Sequence, residues 1–163
     1  MENTPALIAF WQAYLDALPA GAPRPEGEVE AWHFCADQPC ADELGTLALA
    51  GVKTATASLF WAYAVDGEAI PQPGDVSILT DFSGHPLLVL ETSAVDIVPF
   101  GQVGANQAYA EGEGDRSLAY WREVHWRIFA EAARAIGREP SEEMPVVCEH
   151  FRVLWKPEWP SER

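Results

Sequence analysis

The stretch Gly51-Val52-Lys53-Thr54-Ala55-Thr56-Ala57-Ser58 carries the reading of this chain. Lys53 is the one positive side chain between Arg24 and Arg116, a window that holds fifteen carboxylates. A solvated surface scatters its charges, so a lone lysine beside two threonines reads as a residue placed for a task. Lysine and threonine are also the pair that a base-assisted hydroxyl nucleophile needs. The plainer reading is a snorkelling lysine on a half-buried segment. The preceding run Ala41–Ala50 has helical character, and Gly51 sits where a left-handed cap would end it. Lys53 thus stands just past a helix end. Thr54–Ser58 suits a short strand or a bulged turn.

Working outward, Thr4-Pro5 opens an amphipathic helix carrying Leu7, Ile8, Trp11, Leu15 and Leu18, with proline at its first position. Pro19–Gly27 is a linker, and Glu28–Phe34 alternates as a strand does. Leu59–Val65 is apolar and continues as a helix. Pro71–Asp75 is a turn, and Val76–Thr80 and Pro86–Phe100 are strands joined through Asp81–His85. Gly112–Ser117 precedes a long helix with Leu118, Trp121, Val124, Ile128, Ala132 and Ala135 on its inner face. Glu123, Arg127 and Glu131 form i,i+4 pairs on its outer side. Val146–Trp155 closes the domain as a strand. Helices come first and strands group later, so the expected class is α+β around a small barrel.

With 163 residues, 48% of them hydrophobic, the chain can bury a core as one domain. No apolar run approaches the roughly 18 residues that span a bilayer, and Met1–Pro5 lacks the basic region of a secretory signal. Cys35, Cys40 and Cys148 form an odd set without framework spacing, expected as free thiols in a reducing cytoplasm. Residues 1–115 hold 17 acidic and 2 basic side chains and carry the whole net charge of −15, while 116–163 hold 8 of each. Such a chain repels a polyphosphate over most of its length. A broad RNA-binding face is disfavoured, a local basic cleft is allowed, and small neutral substrates meet no barrier.

Lys53 and Thr56 point to opposite faces of a straight strand, so they converge only if the segment bends. Thr56 can attack a carbonyl if Lys53 accepts its proton, or if Lys53 as ammonium donates to the oxyanion and a glutamate deals with the threonine. Both assignments stay open. Glu111 and Glu113 flank Gly112, where glycines allow close approach to a ligand; the plainer reading is a solvated acidic loop. Arg116 with the helix start near Ser117 offers an anion site, which Glu111, Glu113 and Asp115 oppose. Trp121 and His125, a helical turn apart, suit core packing better than stacking on a base. Ser58 and Trp61 follow the Lys-Thr segment closely enough to line its pocket. His33, His85 and His150 show no zinc spacing with the cysteines, so no metal and no cofactor is expected.

Gly51-Val52-Lys53-Thr54-Ala55-Thr56, Pro73-Gly74-Asp75 before Val76–Thr80, and Ala110-Glu111-Gly112-Glu113 resemble the ASCH domain family. Ala108–Leu118 and Tyr120–Trp126 resemble its larger bacterial branch, over roughly residues 30–155. The resemblance implies a PUA-like small β-barrel flanked by helices. It divides the chain into an N-terminal helix and linker (1–27), the ASCH domain (28–156) and a tail (157–163). Small bacterial members are amidohydrolases that release acetate from N4-acetylcytidine with a lysine, a threonine and a glutamate. These fall here on Lys53, Thr56 and Glu113, and the substrate-binding residues expected beside them are Ser58, Trp61, Glu111, Arg116 and Trp121. Ser58 stands where the small enzymes carry an arginine, which removes a polar clamp on the substrate and leaves the chemistry in place. The expected activity is hydrolysis of an N-acylated cytidine or similar nucleoside, in the cytoplasm and away from membranes. The rivals are an RNA-binding protein or ribonuclease of the same family, and a ligand sensor in which Thr56 has no chemical role.

Overall fold

The computed structural model describes residues 4–25 and 29–157. The expected loose tail lies outside the described residues apart from Pro157, as do positions 26–28 of the expected linker and strand. Among the described residues there are five α-helices, one short 3-10 helix (Phe100–Gln102) and five strands, with strand order β1-β3-β4-β5-β2: β1 Glu30–Trp32, β2 Ala55–Leu59, β3 Val76–Thr80, β4 Pro86–Pro99 and β5 Pro145–Trp155. The expected mixed α+β class holds. The chain divides into two compact units, and β4 and β5 contribute residues to both.

The first unit comprises Met1–Gly51, Asp75–Glu91 and Arg152–Arg163. Its helix α1, Pro5–Ala17, starts as its cap dictates: the Thr4 hydroxyl accepts from the Leu7 N–H, and Pro5 gives up a donor the first turn could not use. Leu7 and Tyr14 are buried and Phe10 meets the Trp155 ring, whereas Ile8 is exposed. Ile8 was expected inside; the 3.6-residue repeat from Leu7 passes through Phe10 and Tyr14 and turns Ile8 outward. Helix α2, Gln38–Leu49, begins ahead of the expected Ala41 because Asp37 caps it, accepting from the Cys40 N–H. β1 runs parallel to β3, and β3 antiparallel to β4 from Val76↔Glu91 to Thr80↔Pro86, joined by the expected turn.

The expectation of three free thiols is corrected. Cys35 and Cys40 form a disulfide, and Cys148 alone is free and buried. Cys35 takes a left-handed conformation (φ 56°) just before the α2 cap, and the chain folds back so that the two Cα atoms lie 5.9 Å apart. A separation of five residues does not announce this; the turn makes it.

The second unit, Val52–Gly74 and Thr92–Phe151, holds β2, α3 (Phe60–Asp66), α4 (Ala105–Glu111) and α5 (Leu118–Ala135). Its core gathers Leu59, Phe100, Val103, Ala108, Trp121, Phe129, Ala133, Met144, Val146 and Cys148. α4 was not read from the sequence. The inner face of α5 is also corrected: Trp121, His125, Phe129 and Ala133 are buried, while Ile128 is exposed. The helix is apolar over so much of its circumference that two stripes compete, and packing against Phe100 selects the one bearing Trp121, Trp126 and Phe129.

Candidate functional site

β2 forms an antiparallel pair with β5, and α4 lies along its other edge. Lys53 and Thr54 precede β2 as irregular chain. Thr54 departs from the pleat: its N–H donates to Ala110 in α4 (2.7 Å) while its carbonyl accepts from Phe151 in β5 (2.9 Å). In a regular antiparallel strand both groups of one residue point to the same neighbour. The chain therefore departs from a regular strand at Thr54, between Lys53 and Thr56.

Lys53 is 1% exposed. Its Nζ donates to Glu113 Oε1 at 2.7 Å and to Glu111 Oε2 at 3.4 Å. Glu111, at the end of α4, is equally buried and accepts from three more groups: Trp121 Nε1 at 2.6 Å, Gln107 Nε2 at 3.0 Å and His125 Nε2 at 3.4 Å. His125 stacks on Trp121 with ring centroids 4.2 Å apart, and its Nδ1 meets the Trp121 carbonyl at 2.9 Å. Burial alone would push the Glu111 carboxyl up. The hydrogen bond from His125, the Lys53 charge and the Trp121 N–H outweigh it and hold the group below the usual carboxylate range. The acidic loop expected as the plain alternative is thus the wall of a buried charge cluster.

The structure brings together Lys53, Glu111, Glu113 and Trp121 from the expected set. Trp121 is enclosed, with its indole N–H committed to Glu111. Thr56 joins through its main chain: Gln107 Nε2 donates both to the Thr56 carbonyl (3.1 Å) and to Glu111. Ser58 Oγ lies 2.7 Å from the Tyr63 hydroxyl, and Trp61 packs at the rim of the core beneath the Arg138 guanidinium. Arg116 is not in the cluster. Its guanidinium stacks on the Tyr109 ring at 3.7 Å and donates twice to the Tyr109 carbonyl. Gln107 and His125 were not foreseen as members; the i,i+4 spacings Gln107–Glu111 and Trp121–His125 were the available signals.

Glu111, Glu113 and His125 offer three ligand atoms within 4.8 Å of one another, a donor set suited to a divalent cation. Among the described residues, His125 joins such a set and His33, His85 and His150 do not. Lys53 supplies one cation against the two carboxylates, so their charge is partly balanced from within. Cys148 is not a competing nucleophile: burial, with Glu111 and Asp96 nearby, pushes its thiol up to about 12.

Gly112 joins the two glutamates with φ 75°, and a Cβ there would meet the Val52 carbonyl oxygen at 2.7 Å. Gly112→Ala is expected to cost about 2–3 kcal/mol in urea unfolding, from left-handed strain plus displacement of the segment bearing Lys53. An unchanged midpoint would show that this approach does not set the geometry.

An α+β domain with a lysine enclosed by carboxylates beside a bent edge strand is the class that fold and site define, and its barrel is PUA-like. The sequence profile of the ASCH domain matches residues 30–155, and the chain belongs to the ASCH domain family. It is similar to the ASCH domain from Lactobacillus crispatus JV V101, with 35% identity, TM-score 0.83, and coverage of 90% of this chain and 92% of that one. It is also similar to a protein of Enterococcus faecalis V583, with 32% identity, TM-score 0.75, and coverage of 90% and 86%. No curated protein matches the chain. ASCH domains are associated with RNA binding. No helix among the described residues is long and apolar enough to cross a membrane.

Proposed function

We propose that this protein is a cytoplasmic amidohydrolase that removes an acyl group from an N-acylated cytidine or similar nucleoside, by a Thr/Lys/Glu mechanism without a metal. The observation that carries the reading is the buried Lys53, clamped by Glu113 and Glu111 at the start of the bent segment leading to Thr56. A lysine so enclosed has lost its water. It is worth that cost where a desolvated donor must meet developing negative charge.

In this reading Thr56 Oγ attacks the amide carbonyl and the Lys53 ammonium donates to the oxyanion. Glu113 orients the ammonium from the more open side. Glu111, itself held by the Trp121 N–H, supports it from behind, while Ser58 and Trp61 meet the substrate. Arg116, clasped to Tyr109, contributes at the rim. Collapse of the tetrahedral adduct breaks the C–N bond, the amine leaves with a proton, and water hydrolyses the acyl-threonine.

The test is incubation with N4-acetylcytidine, with cytidine and acetate separated by chromatography. Wild type is expected to release both, with or without a chelator, and Thr56→Ala is expected to bind the nucleoside without turning it over. Absence of release by wild type, or undiminished release by Thr56→Ala, overturns the reading. Binding of RNA that weakens steeply with salt, without hydrolysis of the nucleoside, would favour the RNA-binding alternative. The charge of −15 weighs against that outcome.

A further inference from the structure

We infer that Glu149 is the base that takes the proton from Thr56, a catalytic residue on the strand facing the nucleophile. The inference rests on the hydrolase reading above and supplies the step it leaves open. In that reading Glu113 is given the task of orienting Lys53, with which it is engaged at 2.7 Å.

The register places Thr56 directly opposite Glu149 in the antiparallel β2–β5 pair. Residues so opposed project from the same face of a sheet. The Phe151 N–H donates to the Thr54 carbonyl in the same register, and pairs two residues apart share this main-chain bonding. That makes Thr56–Glu149 a hydrogen-bonded pair, with Cα atoms about 5.5 Å apart and side chains still within cross-strand reach. On the other face of β2, Leu59 belongs to the core and Ala57 packs against it. Alternation therefore puts Thr56, Ser58 and Glu149 together on the opposite face. There the Glu149 carboxylate is already positioned: Oε1 accepts from the buried Thr92 hydroxyl at 2.6 Å. A donor from β4 holds one oxygen of the carboxylate on the face that Thr56 shares.

The step balances without a further reactant. The Thr56 Oγ–H proton passes to Glu149 as the Oγ–C bond forms and the carbonyl π pair becomes the oxyanion. On collapse Glu149 returns that proton to the departing nitrogen as C–N breaks. In the second half-reaction Glu149 takes a proton from water and gives it to Thr56 Oγ as the ester opens.

The experiment compares wild type, Glu149→Gln and Glu149→Asp on N4-acetylcytidine and on p-nitrophenyl acetate, with circular dichroism and urea midpoints to establish folding. On the nucleoside, Glu149→Gln is expected to keep KM and lose about 10²–10⁴-fold in kcat, together with the acid limb of the pH profile; Glu149→Asp regains part of both. On the activated ester, wild type is expected to give a burst of nitrophenolate with one acetyl group on Thr56 by mass spectrometry, and Glu149→Gln no burst. If wild type ignores the nucleoside yet shows a Glu149-dependent burst on Thr56, the substrate reading falls and the Glu149 assignment stands. An undiminished burst or kcat in folded Glu149→Gln overturns the assignment, as does a wild type that never acetylates Thr56.

Discussion

Replacing Glu111 by alanine is expected to destabilise the fold by about 3–5 kcal/mol, measured as a fall in the urea midpoint at pH 7. The substitution leaves Lys53 with half of its counter-charge and strips acceptors from Trp121, Gln107 and His125, all buried. A buried donor without a partner costs about 1–3 kcal/mol, so several orphaned together dominate any cavity effect. Glu111→Gln keeps the shape and some hydrogen bonds and is expected to cost less. The wild type should also lose this contribution in acid. The folded carboxyl lies below the ordinary 4.5, so its stabilisation is fully present above that pH and disappears as the pH falls through the lowered value. Glu111→Gln should lack this part of the acid limb. A Glu111→Ala midpoint within error of wild type would mean that water enters and satisfies the donors.

The second large effect concerns Lys53. Lys53→Met fills most of the volume but leaves Glu111 and Glu113 facing each other without the ammonium. Turnover on an acylated nucleoside is expected to fall by about 10²–10³-fold, the usual cost of one oxyanion donor. The stability deficit should be greatest near neutral pH and narrow as the pH falls, because Glu111 has lost a cation that lowered its pKa and now takes up a proton more readily. Lys53→Arg is expected to rescue little, since a planar fork does not fit a site shaped for a point charge. A Lys53→Met variant with full turnover and an unaltered pH profile would remove lysine from the chemistry. Carrying the stability measurement beside the kinetics separates loss of fold from loss of function.

Much of the site was legible in the chain because its members are chemically odd where they stand. Lys53 is conspicuous in a window of carboxylates, and Thr56 and the Glu111-Gly112-Glu113 triplet sit in recognisable local patterns. Three things were not legible. Helix α4, at Ala105–Glu111, is only seven residues long with no side-chain cap at Gly104; its clearest signal was the left-handed Gly112 that ends it. His125 looked like core filling, which it is, but its ring also reaches Glu111. The Cys35–Cys40 bridge required knowing how the turn before α2 folds back.

What the sequence determined by itself was local: the Thr4 and Pro5 start of α1, the Gly51 stop after α2, the strand Val76–Thr80 after its turn and the long helix after Ser117. Each depends on φ preferences, capping hydrogen bonds and side-chain periods acting over a few residues. Tertiary structure decided which stripe of α5 faces inward, so that His125 is enclosed and Ile128 is not, and which distant groups share a charge. Lys53 and Glu111 are joined by a 3.4 Å contact across 58 positions, and Thr56 faces Glu149 across a strand pair. Those partners are set by strand register and helix packing, where the free energy of burial is summed over the whole core and no local segment contains the answer.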